Sequence, residues 1–221
     1  MDNIIVYTCI TNGKDTLKEY EPEEGVRYIC FNDGSIKFTT DQWENCNTIF
    51  EHNDPRMVAR YHKLNPSKVL PEHTWSMWID GSMLPKVRVV DLITWMKATD
   101  NGAYGVRRHP GWNCIYDEAK AIAHHGFEDQ DILDKVVARY KKEGFPEQFG
   151  MHETGVLIRL NVPRVIAFDK LWWNEVAENS KRDQMSFDYL LWREQTQVAQ
   201  LNRDWFGTDP NMPFYGHKHE R

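Results

Sequence analysis

The chain has 221 residues, of which 41% are hydrophobic, so it is long enough to bury one substantial core. Its formal net charge of −6 argues against a general nucleic-acid binder, whose phosphate contacts require a basic surface. The N-terminus enters an apolar strand pattern directly, without the features of a signal peptide or a membrane span, and we therefore expect a cytoplasmic protein. Four scattered cysteines without a CxxC pair indicate reduced thiols, with a disulfide pair as the alternative.

Strand and helix patterns alternate along most of the chain, which predicts an α/β fold with a mostly parallel central sheet flanked by helices. Strands are predicted at 3–10, 26–31, 48–50, 75–79, 103–106, 155–160 and 164–168. Helices are predicted at 54–64, 89–96, 114–124 and 132–140, with two more within 171–188. Because there is no internal repeat and no flexible linker, we expect one domain over residues 1–221, with a polar tail from about residue 207.

An apolar run at 75–79 ends abruptly in Asp80, Gly81 and Ser82, and this stretch is the centre of the functional prediction. A buried strand would deliver Asp80 to the carboxyl edge of the sheet, where ligands bind in open α/β folds. The carboxylate can bind a divalent cation, and Gly81 lets the backbone approach a phosphate. An ordinary Asp-Gly turn explains the same residues, and both interpretations stay open.

Three other features have a structural and a functional interpretation. Arg56, Arg60 and Lys63 form one cationic stripe on the helix at 54–64, which is either solvated surface or one wall of the same cleft. Asp183 lies where a helix should begin, so it is either a cap or a functional carboxylate. Two histidines near the C-terminus, in the stretch 213–219, are either part of a polar tail or ligands of a transition metal.

Eight short blocks occur in an order that resembles one family. They include Val6-Tyr-Thr-Cys-Ile-Thr-Asn-Gly, Cys30-Phe-Asn-Asp, Ala59-Arg-Tyr-His-Lys, Trp78-Ile-Asp-Gly-Ser, His109-Pro with Cys114-Ile-Tyr-Asp-Glu-Ala, Tyr140 with Glu143-Gly-Phe-Pro, Gly150-Met-His-Glu and Ser180-Lys-Arg-Asp-Gln-Met-Ser-Phe. The blocks cover roughly residues 4–190 and resemble the glycosyltransferase-like family once catalogued as a domain of unknown function. That family includes plant pectin- and mucilage-related Golgi proteins and the N-terminal glycosyltransferase domain of a chlorella-virus protein.

The resemblance implies a single GT-A-like domain that uses a nucleotide sugar, a UDP-sugar above all, with Mn²⁺ or Mg²⁺. Asp80-Gly81-Ser82 then stands where GT-A enzymes place an Asp-x-Asp metal motif, with Ser82 in place of the second acid. A C-terminal histidine, His217 or His219, would supply a missing ligand. The other implied site residues are Tyr7, Thr8, Cys9 and Ile10 at the base and ribose, Arg60 and Lys63 at the diphosphate, Asp183 and Gln184 at the transferred sugar, and Arg107, His109 and Glu153 on the sugar or acceptor side.

The expected activity is transfer of a hexose from a UDP-sugar to a glycan or glycoprotein acceptor. An inverting enzyme needs a general base, for which Glu153 and Asp183 are the candidates, whereas a retaining enzyme can proceed without one, so the stereochemistry stays open. Other glycosyltransferase domains are conceivable partners, and no nucleic acid is expected. Two other functions remain: a metal-dependent nucleotide phosphodiesterase or hydrolase, and a catalytically silent sugar-binding module.

Overall fold

A seven-stranded sheet forms the centre of the protein in a computed structural model that describes residues 2–19, 21–38 and 41–208. Its strands are β1 (Ile4–Ile10), β2 (Val26–Asn32), β3 (Glu44–Asn47), β4 (Trp75–Ile79), β6 (Tyr104–Arg108), β7 (His152–Leu160) and β8 (Ala199–Gln200). They lie side by side in the order β3-β2-β1-β4-β7-β6-β8. Two short strands, β5 (Met83–Pro85) and β9 (Phe206–Thr208), pair with each other in a second sheet.

Strands β3, β2, β1 and β4 are parallel, as are β6 and β8, whereas β7 runs antiparallel to both of its neighbours. The predicted α/β fold with a mostly parallel central sheet is therefore confirmed. Since β1 and β4 are adjacent and parallel, the loops that follow them leave the sheet at the same edge. The residues after Ile10 and after Ile79 consequently meet there.

Among the described residues, seven α-helices cover the two faces of the sheet. They are α1 (Pro55–Leu64), α2 (Pro66–Val69), α3 (Val89–Ala98), α4 (Ile115–His124), α5 (Gln130–Lys142), α6 (Pro163–Glu178) and α7 (Asp183–Arg193), and a 3₁₀ turn spans Arg203–Trp205. Alternate residues of β1 point to opposite faces, so Ile5 and Tyr7 pack with residues of α6 and α7, while Val6 packs with residues of α3. All of β1 is buried, as expected for a central parallel strand.

Three local predictions from the sequence are wrong. The third strand lies at Glu44–Asn47 and not at 48–50. The apolar run 164–168 belongs to α6, where Val165 and Phe168 are buried one helical turn apart; five residues are too few to distinguish a helix from a strand by periodicity. Strand β7 begins at His152, within a stretch that reads as a loop. None of the helices among the described residues has the length and apolarity that a membrane span requires.

Candidate functional site

Asp80 lies directly after β4, at the carboxyl edge of the sheet. Its backbone N–H donates to the carbonyl of Gly155 on β7 at 2.8 Å, and the Trp78 indole N–H donates to its Oδ1 at 2.7 Å. These contacts fix the direction of the carboxylate, and 37% of the side chain remains exposed. Asp80 is therefore held in place with its second oxygen, Oδ2, left without a hydrogen-bond donor among the described residues.

Lys63 lies beside Asp80 although α1 is on the surface. Its side chain is only 1% exposed, and its Nζ lies 2.6 Å from Asp183 Oδ2 and 3.8 Å from Asp80 Oδ1. The Thr154 hydroxyl also donates to Asp183 Oδ2, at 2.9 Å. The buried ammonium thus connects the strand-end aspartate to a second carboxylate that comes from α7. Lys63 is not part of a solvated stripe.

Asp183 is fully enclosed by cations and does not cap α7. The residue before the helix is Arg182, whose side chain makes no capping bond, and the Asp183 carboxylate instead contacts Lys63 and, at 2.8 Å, the Arg60 Nε. Burial by itself would raise the pKa of Asp183, but Arg60, Lys63 and the Thr154 hydroxyl outweigh it and hold the pKa well below its usual range. A carboxylate held in this way is a poor proton acceptor, which weakens its candidacy as general base.

A cleft of about 180 Å³ opens beside Asp80 and is lined mostly by basic and polar side chains. Four of them are cations: Lys14, Arg56, Arg60 and Arg182. The pKa values of Lys14 and Arg182 are lowered, first by burial and then by the neighbouring arginines. Because like charges are held together in a partly desolvated space, the cleft is suited to an anionic ligand.

Arg182 has no acidic partner within ion-pair distance among the described residues. Its guanidinium lies over the Phe127 ring at 5.5 Å, and its buried Nε has no hydrogen-bond partner in the described chain. The Arg56 guanidinium is anchored by donating to the Phe127 carbonyl at 3.2 Å. Phe127, in the loop between α4 and α5, therefore positions the side chains of Arg56 and Arg182 at the cleft. The sequence interpretation did not assign Lys14 or Arg182 to the site, since neither belongs to the stripe on α1.

The proposed acceptor-side residues lie on the neighbouring strands. Arg107 on β6 and Glu153 on β7 form an ion pair at 2.8 Å, and Arg203 reaches the other oxygen of Glu153 at 2.9 Å. His109 follows β6, where its Nδ1 accepts from the backbone of the next turn. Gln184 lies apart from this pair and donates to Glu118 on α4 at 3.4 Å. The two cations on Glu153 must be displaced before it can act as a base.

The four residues expected at the base and ribose separate into two groups. Cys9 and Ile10 line the cleft. Tyr7 and Thr8 are buried within the sheet, and the Tyr7 hydroxyl donates to the Lys63 carbonyl at 3.0 Å. The structure thus brings Cys9 and Ile10 to the cleft and leaves Tyr7 in the core, where it supports α1.

The residues present fit a divalent cation that is shared with a ligand. Among the described residues there is no group of three or more histidine, cysteine or acidic side chains that could hold a metal by itself. His62 and His152 are both committed, His62 to the Ile49 N–H and the Val58 carbonyl and His152 to Asp188 at 2.5 Å. Mg²⁺-type sites use one or two carboxylates together with substrate phosphates, and Asp80 offers a free oxygen for such a site.

The predicted metal ligands His217 and His219 lie outside the described residues. The last described strand, β9, pairs with β5, which begins at Met83 immediately after Ser82. Thr208 is the register partner of Met83, so the described chain reaches its end beside the motif. Nine residues separate 208 from 217, and an extended chain of that length spans about 30 Å. The assignment of the two histidines as metal ligands stays a prediction.

A larger cavity of about 310 Å³ is lined by residues including Tyr104, Phe168 and Gln195, with Arg164 as its single charged lining residue among those described. Its described lining contains no acidic side chain and no second cation, so it offers neither a carboxylate ligand for a metal nor a cluster of charges for a diphosphate. We therefore place the functional site at the smaller, charged cleft.

The chain belongs to the TOD1/MUCI70 glycosyltransferase-like domain family, whose model matches residues 46–206. It is similar to the probable hexosyltransferase MUCI70 of Arabidopsis thaliana, with 29% identity over 147 residues, which is 62% of this chain and 25% of that protein. The chain thus matches about a quarter of the length of this curated relative. The family resemblance seen in the sequence is confirmed.

One solved structure has a similar fold. The WbbM bifunctional glycosyltransferase superimposes with a TM-score of 0.55 at 8% identity, covering 90% of this chain and 39% of that one. Mouse xyloside xylosyltransferase 1 gives a TM-score of 0.48 at 8% identity, covering 91% and 85% of the two chains. At such identities the likeness to WbbM concerns the fold alone. Together with the sheet topology, it confirms the expected GT-A-like α/β fold class.

Proposed function

We propose that this chain transfers a hexosyl group from a UDP-sugar to a hydroxyl of a glycan or glycoprotein, with Mn²⁺ or Mg²⁺ bound at Asp80. The observation that carries the proposal is the set of cations in the cleft. Lys14, Arg56 and Arg182 have no carboxylate within ion-pair distance among the described residues, and they line the cleft that also contains Asp80. The described lining of the cleft holds four cations and two acids, Asp15 and Asp80, and a nucleoside diphosphate would supply negative charge for the three cations without a carboxylate partner.

The hexosyl group is inferred from the relative that carries the description probable hexosyltransferase. Uridine is inferred from the family resemblance, and the acceptor class follows the same resemblance. The fold supports a nucleotide in general, because ligands of open α/β sheets bind outside the carboxyl ends of the strands.

The chemistry requires stabilisation of the leaving diphosphate as the bond to the sugar breaks. Arg56, Arg182 and Lys14 would supply positive charge to it. Contacts with Phe127 position Arg56 and Arg182 before the substrate arrives, so these two need little reorganisation. When bound, the divalent cation adds Lewis-acid stabilisation of the same phosphate oxygens. Asp80 borders the same cleft, where it would hold the cation, and Lys63 beside it is immobilised by Asp183.

The alternative of a metal-dependent phosphodiesterase is less well supported. Such enzymes activate water with a metal held by several side chains of the protein, and the described residues contain no group of three metal-binding side chains. A silent sugar-binding module would not need a cleft that concentrates four cations beside a strand-end acid. A turnover assay distinguishes both alternatives from a glycosyltransferase.

Ligand-dependent thermal stability tests the donor assignment. UDP with Mn²⁺ should raise the melting temperature of the full chain, whereas GDP and CMP should have little effect; a ligand at 100 times its Kd adds about 2.7 kcal/mol of stability. Equal shifts for the three nucleotides would contradict the choice of uridine. Turnover of UDP-hexoses separates the functions, since a transferase releases UDP in proportion to glycosylated acceptor, whereas a phosphodiesterase releases UMP without any acceptor.

A further inference from the structure

The loop after β1 brings a second carboxylate to the Asp80-Gly81-Ser82 motif. Asp15 and Asp80 line the same cleft, and Asp15 lies directly against Gly81. A Cβ added to Gly81 would lie 2.8 Å from the Asp15 Cβ and 3.2 Å from its Oδ2, closer than side chains pack. Glycine at position 81 is therefore what allows the Asp15 carboxylate to approach the motif.

Each of the two carboxylates has an oxygen that receives no hydrogen bond from the described residues, although Asp80 Oδ1 accepts from the Trp78 indole at 2.7 Å. Asp15 Oδ1 is buried and has no hydrogen-bond partner among the described residues. A buried acceptor without a donor destabilises the fold unless a ligand satisfies it. Both side chains carry a negative charge when ionised, so they repel each other across the cleft that they share. Repulsion and an unsatisfied oxygen are both relieved by a cation placed between the carboxylates.

We propose that Asp15 supplies the second protein carboxylate for the divalent cation, in place of the acid that Ser82 replaces. This inference rests on the proposed function, in which the cation is shared with the donor diphosphate. Hard cations of the Mg²⁺ and Mn²⁺ type take oxygen ligands and commonly combine two carboxylates with substrate phosphates. Asp15 and Asp80 are a donor set of this kind, brought together from the loops after two adjacent parallel strands.

A different role for Asp15 would be to accept a hydrogen bond from a ribose hydroxyl. The two roles predict opposite responses to removal of the metal. A ribose contact contributes to the binding of UDP and of uridine whether or not a metal is present. A metal ligand contributes only in the presence of metal and otherwise places a negative charge near the diphosphate.

The test measures Mn²⁺ binding to the full chain in saturating UDP, by titration calorimetry and by the electron paramagnetic resonance of free Mn²⁺. Asp15→Asn should weaken Mn²⁺ binding by at least about 10- to 100-fold, since even the loss of an outer-shell partner costs that much. In the absence of metal, Asp15→Asn should bind UDP as tightly as the wild type or more tightly, because a charge that repels the diphosphate has been removed. Asp117→Asn, at an exposed ion pair on α4, is the matched control and should leave both constants unchanged.

Restoration of the motif provides a second variant. In Asp15→Asn combined with Ser82→Asp, the new carboxylate should recover most of the lost Mn²⁺ affinity, which a merely misfolded loop would not allow. Unchanged Mn²⁺ binding in Asp15→Asn, or a parallel loss of metal-free UDP and uridine binding, would overturn the inference. If the unaltered chain binds UDP but no Mn²⁺, the metal assignment fails, and if it binds no UDP, the proposed donor fails as well.

Discussion

Replacement of Asp183 by asparagine should destabilise the protein, because it leaves two cations without their common partner. The carboxylate is 4% exposed and contacts the Lys63 Nζ at 2.6 Å and the Arg60 Nε at 2.8 Å. Removing one partner of a buried ion pair costs about 3–5 kcal/mol, since the remaining charge is buried without compensation. The lower end of that range applies here, for two reasons that the geometry supplies.

Lys63 keeps a second carboxylate, Asp80, at 3.8 Å, and the Arg60 side chain is 20% exposed, so water can partly solvate it. We therefore expect a loss of about 3 kcal/mol in the free energy of unfolding. For a chain of this size, about 1 kcal/mol corresponds to 2–4 °C, so the melting temperature should fall by roughly 6–12 °C. Simple loss of a helix cap would cost only about 1 kcal/mol.

Urea unfolding of the wild type and of Asp183→Asn at several pH values tests the origin of this stability. The pKa of Asp183 is lower in the folded protein than in the unfolded chain, where it is about 3.9. The contribution of its charge is therefore fully present above about pH 4 and is lost as the pH falls below that value. The difference between the two proteins should be constant near neutral pH and should shrink below about pH 4.

A second variant separates charge from packing. Lys63→Met combined with Asp183→Asn removes the buried ammonium as well, so the double variant should lose less stability than the sum of the two single variants. Asp117→Asn at an exposed ion pair should change stability by less than about 1 kcal/mol. If Asp183→Asn were as stable as the wild type, the proposed role of Asp183 as the partner of Lys63 and Arg60 would be refuted. If the stability loss of the double variant equalled the sum of the two single losses, Lys63 and Asp183 would not be coupled.

Two further predictions concern ligand binding. Arg182→Ala should weaken UDP by about 1.5–3 kcal/mol and uridine much less, because only UDP carries the diphosphate; equal losses in isothermal titrations would indicate a folding defect. Truncation after Phe214, or His217→Ala with His219→Ala, should abolish Mn²⁺-dependent UDP binding without lowering the melting temperature of the free protein, and wild-type Mn²⁺ affinity in the truncated chain would exclude the tail from the metal site.

The sequence was informative where a signal is local. The apolar run 75–79 followed by Asp-Gly correctly predicted a buried strand with an acid at its end. Helix α1 was predictable because Asp54 accepts from the Arg56 N–H and Pro55 occupies the first turn. Prediction was wrong for short apolar runs such as 164–168, where length and periodicity do not separate a helix from a strand.

Features that depend on distant contacts could not be read from the sequence. The buried ammonium of Lys63 is paired with Asp183, which comes from the other half of the chain. The spacing of the three cations on α1 therefore could not show which of them is buried. From the sequence, Asp183 is interpreted as a helix cap. The sequence shows that it lies at the start of a helix, but it does not show its contacts with residues of another helix. Arg182 belongs to a recognisable block, but its orientation depends on Phe127 in a different loop. The sequence singled out Asp80, Arg60, Cys9 and Ile10, which line the cleft, but it did not indicate Lys14, Asp15 or Arg182.

Ser82 replaces the second acid of the motif. This replacement is compatible with a metal site because other segments of the chain approach the motif. Met83 follows Ser82 directly and begins β5, whose partner β9 contains the last described residues. The loop after β1 places Asp15 against Gly81 from another direction, and the roles of His217 and His219 stay predictions. In the proposed site Asp15 and Asp80 would both bind the cation, and the loops after β1 and β4 bring them to the same cleft. Because a diphosphate would complete the coordination, metal and nucleotide should each strengthen the binding of the other by the same factor.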